Sequence, residues 1–353
     1  MKQRFCCGIL AALLLLSGCS AADETPTSVA EETAADTNET NAASQSTELF
    51  AMDTVMTLEA YGANASTALD AASAEIERLD ALWSISSTDG EIARLNADKQ
   101  ATVSEDTANL LSRAKAISED TDGLFACTIE PVMEAWGFTS GNYQVPDDGT
   151  LQTLLSHVDD TQIEIDGSTI RVPADVKVDL GGIAKGFTSD RVMEIFRDSG
   201  VESGIISLGG NVQTLGTKPD GSLWRVGIQD PADTSQILAT LEVADKAVIT
   251  SGGYQRNFEQ DGVTYHHIID PRTGYPADSG LTSVTIVSSD GTLADGLSTS
   301  LFIMGRDEAV RFWQSHKEDF DIILVETDGT VTISNGLADH FALQDGNTPE
   351  IVS

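Results

Sequence analysis

Residues 178–190 read VDLGGIAKGFTSD. Val178 to Leu180 look like the end of a buried strand, Gly181 and Gly182 break it, and a helix is expected to follow, periodic through 189–200 (SDRVMEIFRDSG). Paired glycines let backbone amides come close to a ligand, and successive amides form an anion-binding concavity. A helix beginning just after such a turn adds the positive end of its dipole, and Lys185 adds a full charge. Yet the stretch is neither a Walker A loop nor a dinucleotide fingerprint. The chain contains no Gly-Lys and no Gly-x-Gly anywhere.

Four more glycine-bearing stretches follow strand-like runs: ISLGGNVQTLG (206–216), ITSGGYQRNF (249–258), HHIIDPRTGYP (266–276) and LADGLSTSLFIMG (293–305). A glycine pair after a strand usually makes an ordinary turn. Five such stretches in one chain point to loops gathered around a ligand.

Working outward, strand-like runs occur at 169–172, 176–180, 204–208, 224–228, 237–243, 247–250, 264–269, 281–287, 320–326 and 329–334. Helical spacing appears over 64–83, with Asn64 as cap, over 105–123, and over 293–304. No regular strand-helix-strand alternation runs through them, so the pattern predicts an α+β domain rather than a doubly wound sheet.

The chain has 353 residues, 56 acidic against 20 basic, and a formal charge of −36. So acidic a surface excludes nucleic acid as a partner, and an anionic substrate would need a cation to bridge it. Residues 1–18 read as a secretory leader, basic at Lys2 and Arg4, then apolar, ending Leu-Ser-Gly before Cys19. Small residues before a cysteine have the form of a bacterial lipobox, which would lipidate Cys19 and anchor the protein on the extracytoplasmic face of the cell membrane. Residues 19–47 lack Lys, Arg and large apolar clusters until Leu49, and are expected to form a disordered acidic tether. Of four cysteines only Cys127 lies beyond the leader and Cys19, so no intramolecular disulfide is expected. The catalytic domain is expected over 48–345, with 346–353 as a tail.

Asp295 and Thr299 stand four apart, on one face of the last helical stretch. A carboxylate with a hydroxyl one turn on suits a hard cation such as Mg²⁺, and equally suits a helix-surface pair. Adjacent Gly296, Ser298 and Ser300 are small, which lets something pack against that helix. His266 and His267 would face opposite sides of a strand, so one of them at most reaches a given site. His267 and Asp270 are the candidates for proton transfer, though Asp before Pro271 is also a common turn start.

In order, MDTVMTLEAYG (52–62), EIARLNA (91–97), DGLFACTIEPVMEAWGF (122–138), VDLGGIAKGF, LGGN, SGGY, HIIDPRTGYP and ADGLSTSLFIMG resemble the ApbE family, the FAD:protein FMN transferases of bacterial envelopes. The resemblance implies a single T-fold-like α+β domain that binds FAD with Mg²⁺. It implies transfer of FMN to a Thr or Ser hydroxyl of a partner through a phosphoester bond, with release of AMP. The partner would carry an FMN-binding domain or be a subunit of an electron-transport complex. It also implies metal ligands at Asp295, Thr299 and the Gly182 carbonyl, and FAD contacts at Met52, Ser86, Leu124, Phe125, Ala126, Asp179, Lys185 and Ile269. Ala126 departs from the family's usual aspartate after the phenylalanine. Two other functions fit the same residues: an Mg²⁺-dependent FAD pyrophosphatase giving FMN and AMP, and a flavin-binding lipoprotein without turnover.

Overall fold

A computed structural model describes residues 44–353; the leader, Cys19 and most of the acidic segment lie outside the described residues. Strands β1 (Ser44–Ala51) and β2 (Thr54–Tyr61) open the fold as a hairpin, followed by α1 (Ala65–Trp83), α2 (Glu91–Asp98), β3 (Gln100–Thr102) and α3 (Glu105–Asp120). Next come α4 (Glu130–Trp136), α5 (Asp148–Leu155), β4 (Glu164–Asp166), β5 (Thr169–Arg171) and α6 (Ala184–Asp198). A run of strands follows: β6 (Ser203–Leu208), β7 (Asn211–Leu215), β8 (Trp224–Gln229), β9 (Ile237–Val243), β10 (Ala247–Gly252), β11 (Asn257–Gln260), β12 (Val263–His266) and β13 (Leu281–Ser288). The chain closes with α7 (Gly291–Met304), α8 (Arg306–Ser315), β14 (Phe320–Glu326), β15 (Val331–Ser334), β16 (Phe341–Leu343) and β17 (Glu350–Val352).

Nine strands form one sheet in the order β1-β2-β6-β7-β10-β13-β14-β15-β17, antiparallel except for the parallel β15–β17 pair. Its central strands are buried on both faces, which explains their continuous apolar runs. In β14, Ile322 and Leu324 join a core with α3 and α7, while Ile323 and Val325 face the other way, toward β8 and β9. The small sheet β16-β9-β8 covers that second face. On the first face, Leu69, Ala72 and Ile76 of α1 pack with Val192 and Phe196 of α6 over Met56 and Leu58 of β2. The expected α+β domain is what forms.

Three expectations shift. Residues 176–180 form no strand. Val178 instead exchanges hydrogen bonds with the Asn96 side chain (2.7 and 2.8 Å), and the Asp179 amide donates to the Cys127 carbonyl at 2.8 Å. A side-chain amide thus replaces a strand neighbour, which sequence alternation cannot reveal. Helix α6 begins at Ala184, so Lys185 and Gly186 lie in its first turn instead of in a loop. The domain's edges are also wider than 48–345. Ser44 to Thr47 already pair in β1, and residues of the expected tail form β17.

Candidate active site

Helices α6 and α7 touch at two glycines. A methyl group on Gly186 would lie 2.2 Å from the Gly291 carbonyl oxygen and 2.7 Å from Asp295 Cβ. Such contact forces a shift of backbone, so glycine is required there. The closeness brings the Gly186 amide, in the unpaired first turn of α6, within 2.8 Å of Asp295 Oδ2, to which it donates. Asn211, at the start of β7, donates from Nδ2 to Asp295 Oδ1 at 2.9 Å. Lys185 Nζ stands 4.0 Å from the same oxygen. Asp295 is only 5% exposed, so its carboxylate is oriented in a largely dry setting.

The start of α7 is held just as firmly. Asp190 accepts from the Gly291 and Thr292 amides, both at 2.8 Å, and from Gln213 Nε2 at 3.0 Å. Burial pushes the Asp190 carboxyl above its usual range, against these donors. One turn past Asp295, half-buried Thr299 has its Oγ1 3.4 Å from Ser251 Oγ, which in turn lies 2.7 Å from Ser298 Oγ. Ser251 belongs to the SGGY stretch at the end of β10.

The opening stretch and the β1–β2 turn lie beside the same seam. In the opening stretch the Gly181 amide donates to Asp179 Oδ1 at 2.8 Å. Burial raises the Asp179 carboxyl and nearby Asp53 raises it further, opposed by that amide and by the charges of Arg256 and Lys185. Met52 and Asp53 form the two-residue turn between β1 and β2, at φ +47° and +59°. A turn of this hand normally uses Asn-Gly, so two ordinary side chains here hold a strained conformation. Thr188 Oγ1 lies 3.8 Å from Met52 Sδ, and a methyl on Gly209 would strike Thr54 at 2.5 Å, so the hairpin tip sits over α6 and the LGGN turn.

Residues 52–324 match the ApbE family. The chain belongs to that family. It is 34% identical over 267 residues to the FAD:protein FMN transferase of Klebsiella pneumoniae, covering 74% of this chain and 82% of that protein. It is 32% identical over 290 residues to the one of Treponema pallidum, covering 76% and 80%. The ApbE protein of Thermotoga maritima superposes with a TM-score of 0.79 at 32% identity, over 83% of this chain and 98% of that one. The flavin transferase ApbE of Vibrio cholerae gives 0.75 at 27%, over 84% and 100%.

Within this ApbE fold the sequence candidates separate. Asp295 and Lys185 meet at the α6–α7 seam, Thr299 lies one turn on beside Ser251 of β10, and Met52, Asp179 and Gly182 sit on turns. Phe125 is buried, its ring 3.3 Å from where a Gly182 Cβ would be and 3.7 Å from that of Gly296, so it props the glycine turn against α7. Leu124 is buried in the core and Ala126 is half-buried. The carboxylate that serves this loop is buried Asp160, which accepts from the amides of Cys127 and Thr128 at 2.9 and 3.0 Å. Ile269 packs in an aromatic cluster with Trp136 and Phe138. Ser86 is exposed on the loop after α1, 3.0 Å from Ser84 Oγ, and no hydrogen bond joins it to the Asp295 group.

The two histidines do diverge, though not by strand alternation: β12 ends at His266, and His267 lies in the bend after it. His266 lies edge-on to Phe302 of α7 and its Nε2 faces the Ala277 carbonyl at 3.1 Å. His267 receives a different setting: its Nδ1 faces the Arg256 carbonyl at 3.2 Å. A carbonyl only accepts, so Nδ1 carries the proton and Nε2 keeps its lone pair. Burial, with the charges of Arg256, His266 and Lys185, holds the imidazole down at about 4, hence neutral near pH 7. Asp270 is instead consumed by its own turn. Arg272 donates to both its oxygens, from Nε at 2.9 Å and Nη2 at 2.7 Å, and the Arg272 amide adds a third bond at 2.8 Å. Sequence reading passed over Asn211, Ser251 and Arg256, although all three lie inside its glycine stretches; nothing local distinguishes them from turn residues.

Among the described residues no cluster of three or more His, Cys, Asp or Glu could by itself hold a metal ion. The set that does exist is one carboxylate, hydroxyls and a glycine-turn carbonyl. It fits Mg²⁺, which commonly takes one or two protein carboxylates and completes its shell with water and substrate phosphate.

Proposed function

We propose that this ApbE-family protein transfers FMN from FAD to a Thr or Ser hydroxyl of a partner protein, forming a phosphoester and releasing AMP. The observation that carries the reading is the buried, neutrally clamped Asp295 with Thr299 one turn on, facing glycine turns that can admit a diphosphate. The family relatives named FAD:protein FMN transferase support the same reading.

In the proposed reaction the acceptor oxygen attacks the phosphorus on the FMN side of the diphosphate. The phosphorus–oxygen bond to the AMP phosphate breaks, and its electron pair leaves with AMP. His267 Nε2 takes the hydroxyl proton, its ring fixed by the Arg256 carbonyl. Lys185 and the amides of the Gly181–Gly182 turn offset charge on the phosphate oxygens. Mg²⁺, held by Asp295, Thr299 and the Gly182 carbonyl, would neutralise diphosphate charge in a protein that is itself strongly acidic. The acceptor would be a protein with an FMN-binding domain or a subunit of an electron-transport complex. Lipidation of Cys19 would anchor the enzyme on the extracytoplasmic face of the membrane, a reading supported by the leader and lipobox alone.

The test is to mix the domain with FAD, Mg²⁺ and an FMN-binding-domain acceptor, then weigh the intact acceptor with and without EDTA. A metal-dependent gain of one FMN, with AMP released, is expected. AMP with free FMN would make the protein a pyrophosphatase, and unchanged FAD would make it a binding protein.

A further inference from the structure

Asp295 receives one hydrogen bond on each oxygen, and both donors are neutral. That choice has a consequence. A Lys or Arg bonded directly to the carboxylate would supply the positive charge the site reserves for a cation. An amide supplies direction without charge and leaves the carboxylate oxygens lone pairs to spare. Lys185, at 4.0 Å, stays beyond hydrogen-bond distance.

The two donors differ in how they are fixed. The Gly186 amide belongs to α6 itself. Asn211 is held from the sheet: it pairs with Leu208 across a turn whose Gly209 and Gly210 have φ +61° and +98°. Two residues on, and therefore on the same face of β7, Gln213 donates to Asp190, the α6 residue that accepts from the first two amides of α7. One face of one strand thus aims two side-chain amides at the seam between the helices, one at Asp190 of α6 and one at Asp295 of α7. Both are buried, at 4% exposure each.

We infer that Asn211 is a positioning residue for the metal-binding carboxylate: its Nδ2 fixes the Asp295 rotamer so that an oxygen faces the glycine turns. The inference rests on the metal reading above. Partners of this kind behind metal ligands typically contribute 10- to 100-fold in affinity.

The experiment is Mn²⁺ titration of the FAD-free domain, followed by electron paramagnetic resonance, for wild type and Asn211→Leu. The leucine is close in volume and lacks the donor. Wild type is expected to bind, and Asn211→Leu to bind about tenfold or more weakly, with an unchanged melting temperature. Asn211→Gln, which restores an amide donor, should recover part of that loss. In the metal-free proteins, the Gly186 amide resonance should move in Asn211→Leu, because its acceptor is free to turn. Equal Mn²⁺ affinity in wild type and Asn211→Leu overturns the positioning role. Absence of Mn²⁺ binding in wild type both without and with FAD overturns the metal reading instead. Should Asn211→Leu fail to fold, Asn211→Ser, whose hydroxyl is too short to reach Asp295, takes its place: Mn²⁺ affinity equal to wild type in that variant sinks the inference.

Discussion

Asp295 and Asp270 are both carboxylates in glycine-containing motifs, and both are nearly buried, yet they sit in opposite chemical states. The seam between α6 and α7 gives Asp295 two neutral donors and keeps cationic Lys185 at 4.0 Å. The turn after β12 gives Asp270 a guanidinium on both oxygens and a backbone amide besides. A cation is already bound at Asp270, in the form of Arg272; at Asp295 the proposed metal would take that place. The same functional group thus serves as a turn clamp in one setting and is open to a ligand's role in the other, according to who donates to it.

The strongest way to break that comparison is Asp295→Ala. Metal-dependent FMN transfer is expected to fall at least about a hundredfold, with the far-ultraviolet circular dichroism unchanged. A variant with full activity would remove the metal assignment. Next in size, Gly186→Ala places a methyl against the Gly291 carbonyl and is expected to cost about 1–3 kcal/mol in urea unfolding. Neutral stability there would mean the helices are free to separate and the seam is not a fixed frame.

His267 sharpens the contrast through pH. Its folded-state value of about 4 lies below its usual 6.5, so the neutral, proton-accepting form persists to lower pH than for a free histidine. The acid limb of the transfer rate should therefore fall near pH 4 to 5, not near 6.5, and should vanish in His267→Ala. The same depressed value makes the unfolded chain bind the proton first. The histidine's contribution to stability is therefore complete above about pH 6.5 and declines as pH falls toward 4. An acid limb centred at 6.5 would exclude His267 as the base.

The smallest effect is expected from Asp270→Asn. Arg272 is more than half exposed, so solvent weakens the pair, and a loss of about 1 kcal/mol or less is expected. The transfer rate should stay within about threefold of wild type, since a turn clamp does not enter the transition state. A hundredfold loss of rate at full stability would return Asp270 to the catalytic group.

Much of this was legible in the residues alone. Apolar runs such as FDIILVE marked strands, and the α+β mixture followed from their order. Helical spacing placed Asp295 and Thr299 on one face, one turn apart. Each of these depends on local periodicity, which the backbone imposes wherever the element forms. Other features depended on tertiary structure. Val178 to Leu180 had the composition of a strand, but the nearest partner in space is the Asn96 side chain rather than another strand. Asp295 and Asp270 are indistinguishable as letters, because their donors come from Gly186, Asn211 and Arg272 at separations from two to over a hundred residues. A carboxylate's chemistry is set by what donates to it within about 3 Å, and only the packing of α6, β7 and α7 decides that.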